Sequence, residues 1–157
     1  MNNSELKIEN GKLTKYIRST STSITIPDSV TSIGDHAFYF CKELKSIIIP
    51  NSVTSIGDHA FFDCEKLTSI IIPDSVTFIG KVAFGGCYRL ESVKISDSII
   101  TIKEHTFAGC EELTSITIPD GVTTIGDYAF YGCYKLKSIK IPDSVTFIGK
   151  GVNEYCE

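Results

Sequence analysis

Six cysteines stand at Cys41, Cys64, Cys87, Cys110, Cys133 and Cys156, each 23 residues after the last. Thiols so regularly spaced can ligate a metal, cross-link, or fill a core. Zinc needs four donors converging on one point, whereas this ladder runs parallel and holds no Cys-x-x-Cys pair. Stacked side chains that point the same way also fit poorly with the near-perpendicular disulfide dihedral. The expectation is a column of small, buried, reduced core residues, with Cys156 as the member open to pairing two chains. A second column holds His36, His59 and His105, with Val82 and Tyr128 in the remaining places. Asp35 and Asp58 precede the first two histidines, so a two-histidine metal site is one reading. Val82 and Tyr128 show that the column has no fixed chemistry, which favours a solvated convex face. A third column runs Asp28, Asn51, Asp74, Asp97, Asp120, Asp143. It lacks a glycine-rich calcium motif and is read as turn caps bonding the local backbone, aided by Ser29, Ser52, Ser75, Ser98 and Ser144. Gly85-Gly86 lacks the Lys-Ser/Thr of a phosphate loop, and Gly149-Lys150 runs into Gly151. Near-copies offer no unique point for an active site, so no catalytic residue, cofactor or metal is assigned.

These columns must be positioned by a repeating element. Proline keeps the same period at Pro27, Pro50, Pro73, Pro119 and Pro142, with Ser96 in the one missing place. Within a repeat, Ile47 and Ile49 alternate with Ser46 and Ile48, the period of a short strand. Proline then ends the ladder because it has no N–H to give. Ile56, Ala60, Phe61, Cys64 and Leu67 follow at helical spacing. Each repeat is therefore read as strand, turn and short helical segment. Strands near 24–26, 47–49, 70–72, 93–95, 116–118 and 139–141 are expected to form one six-stranded parallel sheet, because a single repeat cannot bury its own apolar face.

The motif Leu-x-x-Ile-x-Ile-Pro-x-Ser-Val-Thr-x-Ile-Gly-x-x-Ala-Phe-x-x-Cys, carried from residue 24 to residue 157 in about five and a half copies, resembles the BspA-like class of leucine-rich repeats. The resemblance implies an α/β repeat solenoid: a right-handed horseshoe with a parallel β-sheet on one face and short helices or turns on the other. It also implies adhesive or protein-binding roles and transfers no catalytic motif. The domain reading is a single unit, with residues 1–23 as an N-terminal hairpin cap and connector and residues 24–157 as the solenoid. Asn10-Gly11 suits a two-residue type I′ turn, which sets Ile8 opposite Leu13 and Glu9 opposite Lys12. Ser19 to Ser23 reads as a polar connector. At the far end Asn153 fills the column of Phe38, Phe61, Phe84, Phe107 and Phe130, which suggests a closing or fraying core.

The net charge is −4, and no basic stripe of the kind that grips nucleic acid is present. No apolar run reaches a membrane-spanning length. The first residues lack the basic and apolar regions of a secretory leader, which is read as a cytoplasmic chain or one whose leader was removed. What remains is surface. Ser46 and Ser69 fill one outward column, and Ile48, Ile71, Lys94, Thr117 and Lys140 the next; Phe78 stands in a column otherwise Ser or Thr, apart from Phe147. Two neighbouring exposed isoleucines can mark a contact. These eight residues form the candidate partner-binding set, with a protein as partner. A structural, self-assembling homo-oligomer joined through solenoid ends or Cys156 is the alternative.

Overall fold

The computed structural model describes residues 5–17 and 21–156. The chain opens with a hairpin of β1 (Leu6–Glu9) and β2 (Lys12–Tyr16). Asn10 and Gly11 both take positive φ, 49° and 76°, as the tight turn requires. Ile8 faces Leu13 and Glu9 faces Lys12. Of the connector expected at Ser19 to Ser23, Ser19 and Thr20 lie outside the described residues, and Ser23 already belongs to a strand.

Successive 23-residue coils follow, each contributing strands to two different faces. The first face carries β3 (Ser23–Thr25), β5 (Ser46–Ile48), β7 (Ser69–Ile71), β9 (Ser92–Lys94) and β11 (Ser115–Ile116). The second carries β4 (Ser32–Ile33), β6 (Ser55–Ile56), β8 (Phe78–Ile79), β10 (Thr101–Ile102), β12 (Thr124–Ile125) and β13 (Phe147–Ile148). Between coils all pairing is parallel and in register, Ile24 with Ile47 and Ile70 with Val93. The molecule is a β-solenoid.

Two expectations need correction. The six-stranded sheet is interrupted: β3 pairs β5, and β7, β9 and β11 form a separate set. The sixth strand is reduced to a single bridge between Thr117 and Lys140. The second face was not anticipated, because two residues per coil are too few to show a period. It too is interrupted, with order β1-β2-β4-β6-β8 on one side of the break and β10-β12-β13 on the other.

The helical segment is also corrected, since no α-helix occurs among the described residues. Its apolar residues are buried as the spacing predicts, but consecutive turns bury them. Each coil places two residues four apart at positive φ, such as His36 at 58° and Phe40 at 56°. A left-handed residue cannot propagate a right-handed helix. The N–H groups alternate instead. Those of His36, Phe38 and Phe40 reach the carbonyls of Asp58, Ala60 and Phe62 in the next coil at 2.7 to 2.9 Å. Those of Ala37, Tyr39 and Cys41 close local turns on the residue three back. Every second amide thus stitches coil to coil.

The core runs the length of the stack. Phe38, Phe61, Phe84, Phe107 and Phe130 are fully buried and stack nearly parallel, with ring centroids 5.0, 5.2, 5.4 and 5.6 Å apart in order. Tyr16 of the hairpin meets Phe38 at 5.5 Å and continues the column at its N-terminal end. β2 pairs β4 with Leu13 beside Ile33. At the other end Asn153 is exposed. Of the last coil's core-column residues, Ile139 and Val145 are only partly buried, and Ile141 and Ile148 are exposed.

Candidate functional site

The cysteine column lies in the core, with Cys64, Cys87, Cys110 and Cys133 sealed and Cys156 half-buried. Each of these five sulfurs sits against the carbonyl of the phenylalanine 26 residues earlier, from Cys64 on Phe38 at 3.3 Å to Cys156 on Phe130 at 3.2 Å. The thiols point the same way up the stack and donate to backbone. Burial pushes all of them up, Cys133 to about 12. They remain protonated and poorly nucleophilic.

The histidine column is defined by backbone. His36, His59, Val82, His105 and Tyr128 all take φ between 53° and 58°. His36 and His59 stack at 5.0 Å with planes 2° apart. Among the described residues no group of three or more metal-ligating side chains comes together. In the aspartate and serine columns, Asp74, Ser52 and Ser75 bond differently from the local caps expected. Asp74 Oδ1 accepts the Asp97 N–H of the next coil at 3.0 Å, and Ser52 and Ser75 donate to the Val30 and Val53 carbonyls at 2.7 Å. They tie coils together and do not close turns within one.

Seven of the eight candidate surface residues share the first face. Ser46, Ile48, Ser69, Ile71, Lys94, Thr117 and Lys140 are all exposed there, while Ile47, Ile70, Val93 and Ile116 between them point inward. Ser46 donates to Ser23 in the neighbouring coil at 2.8 Å. Lys94 reaches Asp74 at 3.8 Å with both side chains more than half exposed, a pair of little energetic weight. Ile48 and Ile71 are 62% and 67% exposed and stand on either side of the interruption between β5 and β7. Phe78 is separated from the other seven. It lies on β8 of the second face, where the Lys103 ammonium sits 4.3 Å above its ring.

Sequence reasoning missed two surface features. Ile100, 60% exposed, replaces threonine in its column close to Phe78, and Lys103 replaces glycine in its own. The second is the clustering of the turn-side aromatics: the sequence places Tyr39, Tyr88, Tyr131 and Tyr134 on that side as surface decoration, without their ring contacts. His36, Tyr39, Phe40, His59 and Phe62 form one cluster of ring contacts. Tyr128, Tyr131 and Tyr155 form another, with His105 stacked on Tyr128. Reading those columns down the repeats shows both clusters, separated by the small residues Gly85, Gly86, Ala108 and Gly109.

Comparison with known proteins agrees with this architecture. The family model for the BspA type leucine rich repeat region matches in 6 copies, over residues 14–94 and 31–157. No curated protein matches the chain. The chain is similar to the leucine rich repeat protein of T. pallidum at 25% identity and TM-score 0.84, over 95% of this chain and 81% of that one. It is similar to a leucine-rich repeat protein of Eubacterium ventriosum at 27% identity and TM-score 0.76, over 94% of this chain and 47% of that one. A third likeness, at 30% identity and TM-score 0.64 over 78% of this chain and 31% of that one, is to the pneumococcal vaccine antigen PcpA. The chain thus spans most of the first protein but under half of each of the other two. The 23-residue coil, the parallel stitching and the matched repeats agree, and the chain belongs to the BspA-type leucine-rich repeat proteins.

Proposed function

We propose that this chain is a non-catalytic protein-binding or adhesion module that uses the first face of its coils. The observation that carries the reading is the exposed pair Ile48 and Ile71. Burying two such side chains against a partner returns about 1.5–3 kcal/mol each, and the rigid backbone around them needs no ordering on contact. Lys94, Thr117 and Lys140 continue the same column and supply the polar rim that interfaces show. Membership of the BspA-type leucine-rich repeat proteins, which typically bind proteins or adhere, supports the reading. The coils wind right-handed in this reading, as parallel crossovers almost always do, and the β1–β2 hairpin acts as the N-terminal cap.

The test is affinity capture from the source organism and its surroundings. Wild type runs beside a variant with Ile48, Ile71, Lys94 and Lys140 all changed to glutamate. All four are exposed, so the variant is expected to fold, which circular dichroism checks. A partner held by wild type and lost by the folded variant supports the face. A partner held equally by both moves the interface elsewhere. The second reading is a self-assembling solenoid, favoured by the exposed core-column residues Ile141 and Ile148. It predicts concentration-dependent oligomers in sedimentation, and a strict monomer at high concentration counts against it.

A further inference from the structure

We infer that the turn side of the last two coils holds a binding site for an organic cation of the methylated-ammonium type, formed by Tyr128, Tyr131, Tyr155 and Glu154. These residues and His105 line an open hollow of about 400 Å³. The rings are set at right angles in sequence. Tyr128 meets Tyr131 at 5.7 Å and 81°, and Tyr131 meets Tyr155 at 5.3 Å and 87°. All three tyrosines line the hollow, and the face of an aromatic ring is its negative pole. A cation seated within about 6 Å of such faces is attracted.

The carboxylate is the second component. Gly151, at φ 59°, lets the chain pass beneath the rings: a methyl group added there would collide with the Tyr128 ring and stand 2.8 Å from Glu154 Oε2. One glycine thus brings a formal negative charge and a tyrosine ring together at one wall. Tyr128 already attracts a cation from its own chain, the Lys150 ammonium, 5.7 Å from the ring centroid. Burial and the neighbouring Tyr155 and Glu154 push the Tyr131 phenol up, so the ring stays neutral at physiological pH.

The ligand class follows from what the hollow offers. A primary ammonium carries three N–H donors and needs as many acceptors once it leaves water. Three tyrosine rings and one carboxylate supply few. A fully methylated ammonium has no N–H to satisfy and exchanges its weak hydration for ring faces, which is why aromatic cages select it. The site lies on the turn side, away from the strand-lined face, and is independent of the protein-binding reading.

The test is an NMR titration of the whole chain with tetramethylammonium chloride, with sodium chloride as the ionic-strength control and tert-butanol as a neutral molecule of similar shape. Saturable shifts are expected in the Tyr128, Tyr131 and Tyr155 ring signals below roughly 0.1 M, the range that a millimolar Kd would fill. Sodium chloride is expected to give none, and tert-butanol to bind about tenfold more weakly. Tyr155, 64% exposed, can be changed without touching the core. Tyr155→Ala is expected to weaken binding about three- to tenfold and Glu154→Gln about threefold. Tyr88→Ala, an exposed tyrosine outside the site, should leave affinity unchanged. Absent saturation in the folded protein, equal binding of tert-butanol, or unaltered affinity in Tyr155→Ala would each overturn the assignment.

Discussion

A thiol held against a carbonyl inside a dry stack couples stability to alkaline pH. Cys64, Cys87, Cys110 and Cys133 are fully buried, and burial pushes each above the ordinary value of 9.0. In the unfolded chain the same thiols ionise near that value. Between 9.0 and about 12, the value of Cys133, the unfolded state therefore binds fewer protons than the folded one, and stability falls as pH rises. Below 9.0 the contribution is complete. Each thiol adds a slope of up to about 1.4 kcal/mol per pH unit. Tyr88 and Tyr131 shift in the same direction, so the midpoint alone does not isolate the cysteines. The measurement is the urea midpoint against pH for wild type and Cys133→Ala. The variant is expected to start lower and lose stability less steeply above pH 9. Parallel slopes would show that Cys133 ionises as readily folded as unfolded.

The coil carries its own weak point, in the repeat that departs furthest from the others. Gly57, Gly80, Gly126 and Gly149 occupy a column where an added Cβ would meet backbone of the preceding coil, at 2.6 Å from the Glu104 nitrogen in the case of Gly126. Their N–H groups donate to the coil before, Gly80 to Ile56 at 2.9 Å and Gly126 to Ile102 at 2.8 Å. Lys103 stands in this column with a side chain that forbids the same approach. Here the ladder between β8 and β10 is interrupted. Among the described residues, neither Ile100 nor Lys103 makes the backbone bond that Thr77, Gly80, Thr123 and Gly126 make. The Ile100 and Lys103 amides should therefore exchange with solvent roughly tenfold or more faster than those of Thr123 and Gly126. Lys103→Gly should slow both by letting the ladder close. Equal protection in wild type would reject the interruption. Five of the six expected first-face strands, each starting within one residue of its place, the inward isoleucines and the cysteine column were legible in the sequence because each recurs with a fixed period. The second face was not, at two residues per coil. The turns were misread as helix because Ile56, Ala60, Phe61, Cys64 and Leu67 bury at the same spacing in either conformation. What decides between them is the sign of φ at His59 and Asp63, and neither residue type declares it. The surface columns could be enumerated, but Phe78 fell on a different face from Ile48 because the coil turns at Pro73 between them. The tyrosine hollow was hidden because its three rings come from two repeats.

At the scale of the whole molecule, stability is carried along one axis, since each coil touches only its neighbours and an array of this kind approximates a sum of coil and interface contributions. The phenylalanine column makes that testable. Phe84 stacks on Phe61 at 5.2 Å and on Phe107 at 5.4 Å, whereas Phe130 stacks on Phe107 at 5.6 Å and is followed in its column by the exposed Asn153. Phe84→Ala therefore removes two ring contacts and opens a cavity with solid core on both sides. It is expected to cost about 3–5 kcal/mol. Phe130→Ala removes one contact beside partly open packing and should cost less, because such a site relaxes more easily. The two should also differ in reach. The central change uncouples the coils before it from those after it, so its urea transition should broaden, with a smaller m-value as the halves lose their common transition. The terminal change should leave m nearly unchanged and speed amide exchange only near the last coils. Equal costs with sharp transitions in both variants would mean that the solenoid folds as one globular unit, and the nearest-neighbour description would have to be abandoned.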